Sequence, residues 1–191
     1  MRRAALAMLL VLAVAACGGS KTVSAKDLGR LVLQRADVGA PFTAFNDGPQ
    51  ITLDNAGTPR ADPTRFGREG GWIARYRRAG SKDTTGPLVV ESRVDVFESG
   101  GGSKSDFDAY RKTLRSQAGA RPQAVAPPAV GDETYATTFT QVGPLPVRFF
   151  RIAWRYRNAT ASITVEGWDG KVTRAEAARL AQAQQRRLVH G

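Results

Sequence analysis

Seven arginines at short spacings, Arg75, Arg77 and Arg78 in one segment and Arg148, Arg151, Arg155 and Arg157 in another, are the side chains of this sequence best suited to chemistry. On an extended strand alternate residues project to one face. Arg75 with Arg77, and Arg151 with Arg155 and Arg157, would then form stripes of planar guanidinium forks able to grip phosphate or carboxylate through two hydrogen bonds. The competing reading, which spacing alone favours, is a solvated outer face paired across strands with Glu91, Asp95 or Glu166. A second chemical feature is Asp132-Glu133, following Val130-Gly131. A carboxylate pair at the start of a strand could flank a bond to be hydrolysed, as glycosidase acids do. Asp106 and Asp108 fall in the first turn of an expected helix, where negative charge offsets the helix dipole.

Other chemistries lack their parts. A catalytic triad needs a base that turns over near neutral pH, and the one histidine is His190, next to the last residue, where a solvated tail is expected. There is no G-x-S-x-G nucleophile elbow. Paired histidines and spare cysteines, the usual zinc ligands, are missing, and no segment has the alternating oxygen ligands of a calcium loop. Ser99-Gly100-Gly101-Gly102-Ser103-Lys104-Ser105 joins a strand to a helix, but it lacks the G-K-[ST] ending of a phosphate-binding loop. No catalytic residue, metal or cofactor is assigned.

The N-terminus states where this chemistry would operate. Met1-Arg2-Arg3, an apolar run from Ala4 to Ala16, and then Cys17-Gly18-Gly19 have the order of an export signal. Val14-Ala15-Ala16-Cys17 resembles the lipobox of bacterial lipoproteins. The resemblance implies removal of residues 1–16, acylation of the Cys17 sulfur and stable anchoring to the membrane. The apolar run is short of the ~20 residues that cross a bilayer. Cys17 is the only cysteine, so lipidation would leave no thiol for a disulfide or a nucleophile. Residues 17–26 then read as a lipidated tether and 27–191 as one domain.

Removing residues 1–16 leaves 175, enough for one sizeable core. The formal charge of +11 includes Arg2 and Arg3, so the exported part carries +9. An exported basic protein does not meet nucleic acid; anionic lipid, wall polymer or an acidic envelope protein are its available partners. Arginine-rich and alanine-rich usage also fits a GC-rich genome, which would give part of the charge no binding role.

These residues must be positioned by a small set of elements. Helical spacing of Leu28, Leu31 and Val32 predicts a helix over 25–34, opened by Ser24-Ala25-Lys26-Asp27. One short strand is expected within 42–53, broken by the turn residues Asn46-Asp47-Gly48-Pro49, followed by a long loop over 54–71. Alternation predicts strands over 71–78 and 88–98, and a helix opened by Ser103 with Phe107, Tyr110 and Leu114 buried. Further strands are expected over 134–141, 147–157 and 160–166. Thr173-Arg174-Ala175-Glu176 is a capping box for a closing helix with Ala177, Leu180, Ala181 and Leu188 inward, interrupted by Gln184. The order strand, strand, glycine turn, helix thus occurs twice.

This predicts an α+β domain, a mostly antiparallel sheet with helices on one face. In its core Val90, Val94, Ile152, Trp154 and Ile163 would be covered by Phe107, Tyr110, Leu180 and Leu188. The strand-turn-helix units resemble small secreted or lipid-anchored envelope proteins of actinobacteria-like bacteria, including sensor-like extracellular domains, a resemblance that transfers no functional residue. The function expected is a non-enzymatic, membrane-anchored extracytoplasmic lipoprotein binding an anionic or amphiphilic envelope ligand or a protein partner through Arg75, Arg77, Arg151, Arg155 and Arg157. The rivals are a hydrolase using Asp132 or Glu133 and an accessory subunit of an envelope complex.

Overall fold

A computed structural model describes residues 22–50, 66–116 and 120–190. The signal segment, Cys17, the tether up to Lys21 and most of the expected loop over 54–71 lie outside them. The alternating segments pair into one seven-stranded sheet: β1 Thr43–Pro49, β2 Arg68–Arg77, β3 Val89–Phe97, β4 Gln123–Ala124, β5 Glu133–Gln141, β6 Val147–Tyr156 and β7 Ala159–Trp168. Their spatial order is β1-β2-β3-β7-β6-β5-β4, and every pairing is antiparallel. Two meanders therefore meet at β3 and β7. The helices are α1 Leu28–Leu31, α2 Arg35–Val38, α3 Gly100–Leu114 and α4 Arg174–His190.

The α+β class and the antiparallel sheet stand, while the expected single helix-covered face does not. Neighbours on a strand point to opposite faces, and Trp154 and Ala153 belong to different apolar clusters. Trp154 packs with Ile152, Ile163, Val94, Leu180 and Leu188 beneath α4 and the α1–α2 segment. Ala153 packs with Phe107, Tyr110 and Leu114 of α3, with Tyr135 beside them. Phe107 and Tyr110 thus cover the reverse of the sheet from Trp154. The two strand-strand-helix units are accordingly no symmetric repeat. A two-fold axis relating antiparallel neighbours β3 and β7 would run normal to the sheet and leave both helices on the same side.

Gln184 corrects a second expectation, because it does not weaken the burial of α4. It is fully buried; its amide donates to the Arg93 carbonyl at 2.9 Å and its oxygen accepts from Ser92 Oγ at 2.9 Å. Ser92 Oγ in turn accepts from the Leu33 amide. A satisfied polar chain thereby ties α4, the centre of the sheet and the α1–α2 segment together, and Leu188 beyond it remains 2% exposed.

Several boundaries move for local reasons. Of the helix expected over 25–34 only the turn Leu28–Leu31 forms, because Val32 is extended and Leu33 donates to the sheet; a second turn, Arg35–Val38, follows it. Ser24 Oγ accepts from the Lys26 amide and caps neither turn. Asn46-Asp47-Gly48-Pro49 lies inside β1, an edge strand with a bulge between Ala44 and Asn46, where a strand tolerates such residues. Helix α3 starts at Gly100, its cap being Ser99, whose Oγ accepts from Gly102 N. Gly102 is required there, since a Cβ would lie 2.2 Å from the Phe66 carbonyl oxygen. The capping box of α4 forms as read, with Thr173 N donating to Glu176 and Glu176 N to Thr173 Oγ1.

Candidate functional site

Strand pairing arranges the α3 side of the sheet in cross-strand rows. Two rows lie where α3 makes its contacts: Asp95, Thr160, Arg155, Glu133, and next to it Ile73, Arg93, Ser162, Ala153, Tyr135. Thr160 Oγ1 donates to Asp106 at 2.6 Å, and Tyr110 Oη donates to Ser162 Oγ at 3.4 Å. Beyond these contacts a third row reads Arg75, Glu91, Thr164, Arg151, Thr137, and a fourth Arg77, Val89, Glu166, Phe149, Phe139. The third and fourth rows form the candidate site.

Arg151 is its centre. The residue is only 7% exposed, and its guanidinium carbon stands 4.7 Å from the centroid of Phe139, a ring that stacks on Phe149 at 4.6 Å. This platform holds the cation flat by a cation–π contact. Its Nη1 is buried and hydrogen-bonded to nothing. The same is true of Arg75 Nη2 and Thr137 Oγ1 in the same row, and of Arg93 Nη2 in the row alongside. A buried donor left unpaired costs about 1–3 kcal/mol, more when it is charged. Four such atoms on one side of one sheet leave hydrogen-bonding capacity unused beneath it.

The charges between the arginines are set by burial. Arg75 Nε donates to Glu91 at 2.7 Å. Burial pushes the Glu166 carboxyl above the ordinary carboxylate range; Glu91 adds to this, and Arg151 and Arg75 oppose it. Burial also lowers Arg151 from the usual guanidinium range, while Tyr110, Glu91 and Glu166 raise it. Arginine remains charged throughout the physiological range. Arg75 and Arg151 stand three strand spacings apart, about 14 Å at the backbone, with Glu91 and Glu166 between them. A bare polyanion would meet both carboxylates. A ligand with one anionic group for Arg151 and hydroxyl or amine donors for Glu91 and Glu166 matches the row.

The other sequence-predicted residues divide. Arg77 shares the fourth row, and its guanidinium lies 5.4 Å from the ring of Phe45. Arg155 is on the same face but is engaged by Asp132 at 3.0 Å and Glu133 at 3.2 Å. Arg157 lies past the end of β6 at φ 54°, stacked over Tyr156, and Arg148 points to the other face and pairs with Asp169 at 2.7 Å. The structure thus brings Arg75 and Arg151 together and leaves Arg155 and Arg157 at the opposite end. Asp132 and Glu133 are gathered on one guanidinium rather than facing each other across a cleft, and Asp132 also accepts from the Arg157 amide. Asp108 pairs with Lys104 and Arg111. Sequence reasoning missed Thr137, Phe139 and Phe149 as site residues; alternation puts Phe149 on the same face of its strand as Arg151, but only cross-strand register brings Thr137 and Phe139 beside them. Among the described residues no three histidine, cysteine or acidic side chains come together to hold a metal, and no helix is long and apolar enough to cross a membrane.

No family model matches the chain, and no curated protein does. Among solved structures, the fold is similar to that of the extracellular domain of PknH from Mycobacterium tuberculosis, with a TM-score of 0.66 over 91% of this chain and 100% of that one. At 13% identity the likeness is one of fold.

Proposed function

We propose that this protein is a lipid-anchored, extracytoplasmic, non-enzymatic binding domain, and that the third and fourth rows of the α3 face take an envelope ligand carrying a carboxylate or phosphate beside hydroxyl or amine groups. The observation that carries the binding reading is the buried, unpaired Nη1 of Arg151, held over Phe139. The location rests on the signal sequence and Cys17, and the PknH extracellular-domain fold agrees with it.

Binding is tested by calorimetric titration with galacturonate, which offers a carboxylate and hydroxyls, against galactose, which lacks the carboxylate. Galacturonate should bind, galactose should not, and Arg151→Met should weaken the former at least tenfold. Equal behaviour of the two sugars, or unchanged affinity in Arg151→Met, refutes the site. The anchor is tested separately. Intact mass of the membrane fraction should show an acylated Cys17, and Cys17→Ala should release the protein; an unmodified Cys17 on a soluble product refutes the anchor.

A further inference from the structure

A second concave surface lies at the end of the molecule where the chain from Cys17 enters. Val23 is fixed there, its amide donating to Asn158 Oδ1 at 2.7 Å and its carbonyl accepting from Asn158 Nδ2 at 3.1 Å. Only Gly18 to Lys21 separate Cys17 from Thr22, the first described residue. Five residue steps span at most about 18 Å. The C-terminal turns of α4 come to this same end. Between them and the entering segment lies a groove of about 570 Å³, whose lining includes Lys26, Arg30, Arg186, Arg187 and His190.

The charge of this groove is only partly used. Arg187 pairs with Asp37 at 2.8 Å and, with His190, complements the C-terminal dipole of α4. Lys26 and Arg30 come from a different segment and so are not explained by that dipole. Lys26, Arg30 and Arg186 are exposed, with Asp27 the one acidic neighbour outside the Asp37 pair. Glu69 and Glu98 line an adjoining cleft that shares Ser24 and Lys26 with the groove. The lining next to α4 is predominantly basic.

We infer that this groove is a docking surface for the anionic headgroups of the membrane that anchors the chain, with Lys26, Arg30 and Arg186 as the contacting cations. The inference rests on the lipid-anchor reading, because a tether of this length holds the α4 end of the domain within about two Debye lengths of the lipid surface, ~8 Å each at physiological ionic strength. Docking there would fix the orientation of the domain.

The test uses the exported chain from residue 17 with Cys17→Ser, so that acylation plays no part, and vesicles of phosphatidylglycerol and phosphatidylcholine in equal amounts. The groove variant is Lys26→Gln, Arg30→Gln and Arg186→Gln together. The control of equal charge is Lys82→Gln, Lys112→Gln and Arg121→Gln. The groove variant should lose at least about 30-fold in vesicle affinity, as expected for three cations near an anionic surface, and the control less than threefold. Lys26→Gln with Arg30→Gln, both exposed, should already lose about tenfold and keeps the test valid if the triple variant unfolds. Equal losses in groove and control variants, or equal binding to pure phosphatidylcholine, overturn the proposal. So does tighter, groove-dependent binding to polyglutamate, which would assign the surface to an acidic protein. An unmodified Cys17 in the native protein refutes the anchor but leaves this vesicle result standing, so the two failures are distinguishable.

Discussion

The two faces of the one sheet differ in what they bury. On the α4 side, Val90, Val94, Ile152, Trp154, Ile163 and Val165 are almost wholly buried against Leu180, Ala181 and Leu188; the embedded Ser92 and Gln184 satisfy each other, and the Trp154 indole N–H alone among these side chains lacks a partner. On the α3 side the same strands carry Arg75, Glu91, Arg93, Asp95, Arg151 and Glu166, of which the two site arginines and Arg93 keep unpaired donors. Burying unsatisfied charge is among the costlier things a fold does. Under the proposed function, a sheet that does this on one face while the other supplies the apolar core separates stability from recognition. Changes on the α4 side should therefore cost stability, and changes in the third row of the α3 side should cost binding.

Trp154→Ala should break the first half of that comparison most severely. The residue is fully buried at the centre of the α4 side, and a large-to-small core change of this kind costs roughly 3–5 kcal/mol. Denaturant unfolding reads the loss, and a value below about 1 kcal/mol, usual for surface positions, would place Trp154 outside the core. Gln184→Leu comes next. It takes away the acceptor of the Ser92 hydroxyl and the side-chain donor to the Arg93 carbonyl, a cost of about 1–3 kcal/mol. No loss in the same assay would show that the polar chain is not structural.

On the α3 side the expectation reverses. Arg151→Met combined with Glu166→Gln removes two buried charges at once, and replacement of buried charges by groups of similar volume is often neutral or stabilising. The double variant should lie within about 1 kcal/mol of the parent in stability while losing galacturonate binding. Destabilisation as large as that of Trp154→Ala would make these charges part of the core.

The smallest effect is a pH dependence. The Glu166 carboxyl is raised in the folded protein, chiefly by burial, so the folded state holds its proton to higher pH than the unfolded chain does. Its stabilising contribution is full below the unfolded carboxyl range and is lost as pH rises through the raised folded value. Glu166→Gln should raise the unfolding midpoint at pH 7 relative to the parent, and the gap should narrow at pH 4. A gap that widens on acidification would contradict the assigned direction.

Much of this was legible in the residue order. Alternation in 71–78, 88–98 and 147–157 located the central strands, and the Thr173–Glu176 box located α4, because these patterns are local. Which face each helix covers was not legible. β7 is buried on both sides at Ala161, Ser162 and Ile163, so its pattern does not distinguish the face beneath α3 from the face beneath α4. The site was half legible for a related reason. Alternation puts Arg75 with Arg77 and Arg151 with Arg155, but bringing Arg75 and Arg151 into one row requires β3 to pair with β7, a contact between the two meanders that no spacing announces. Arg155 looked equivalent to Arg151 along the strand; it differs because Asp132 and Glu133 meet it from the loop before β5 and from β5 itself.

The most direct test of the account follows the arginine side chains themselves. In the protein labelled with 15N-arginine, the Nε–Hε resonances of the chain can be monitored while galacturonate is added. The account predicts saturable shifts of Arg151 and Arg75, with Arg111 and Arg148 unmoved and no response to galactose. Shifts confined to exposed arginines, or an Arg151 resonance unchanged at saturation, would contradict the claim that the α3 face of the sheet is where this protein binds.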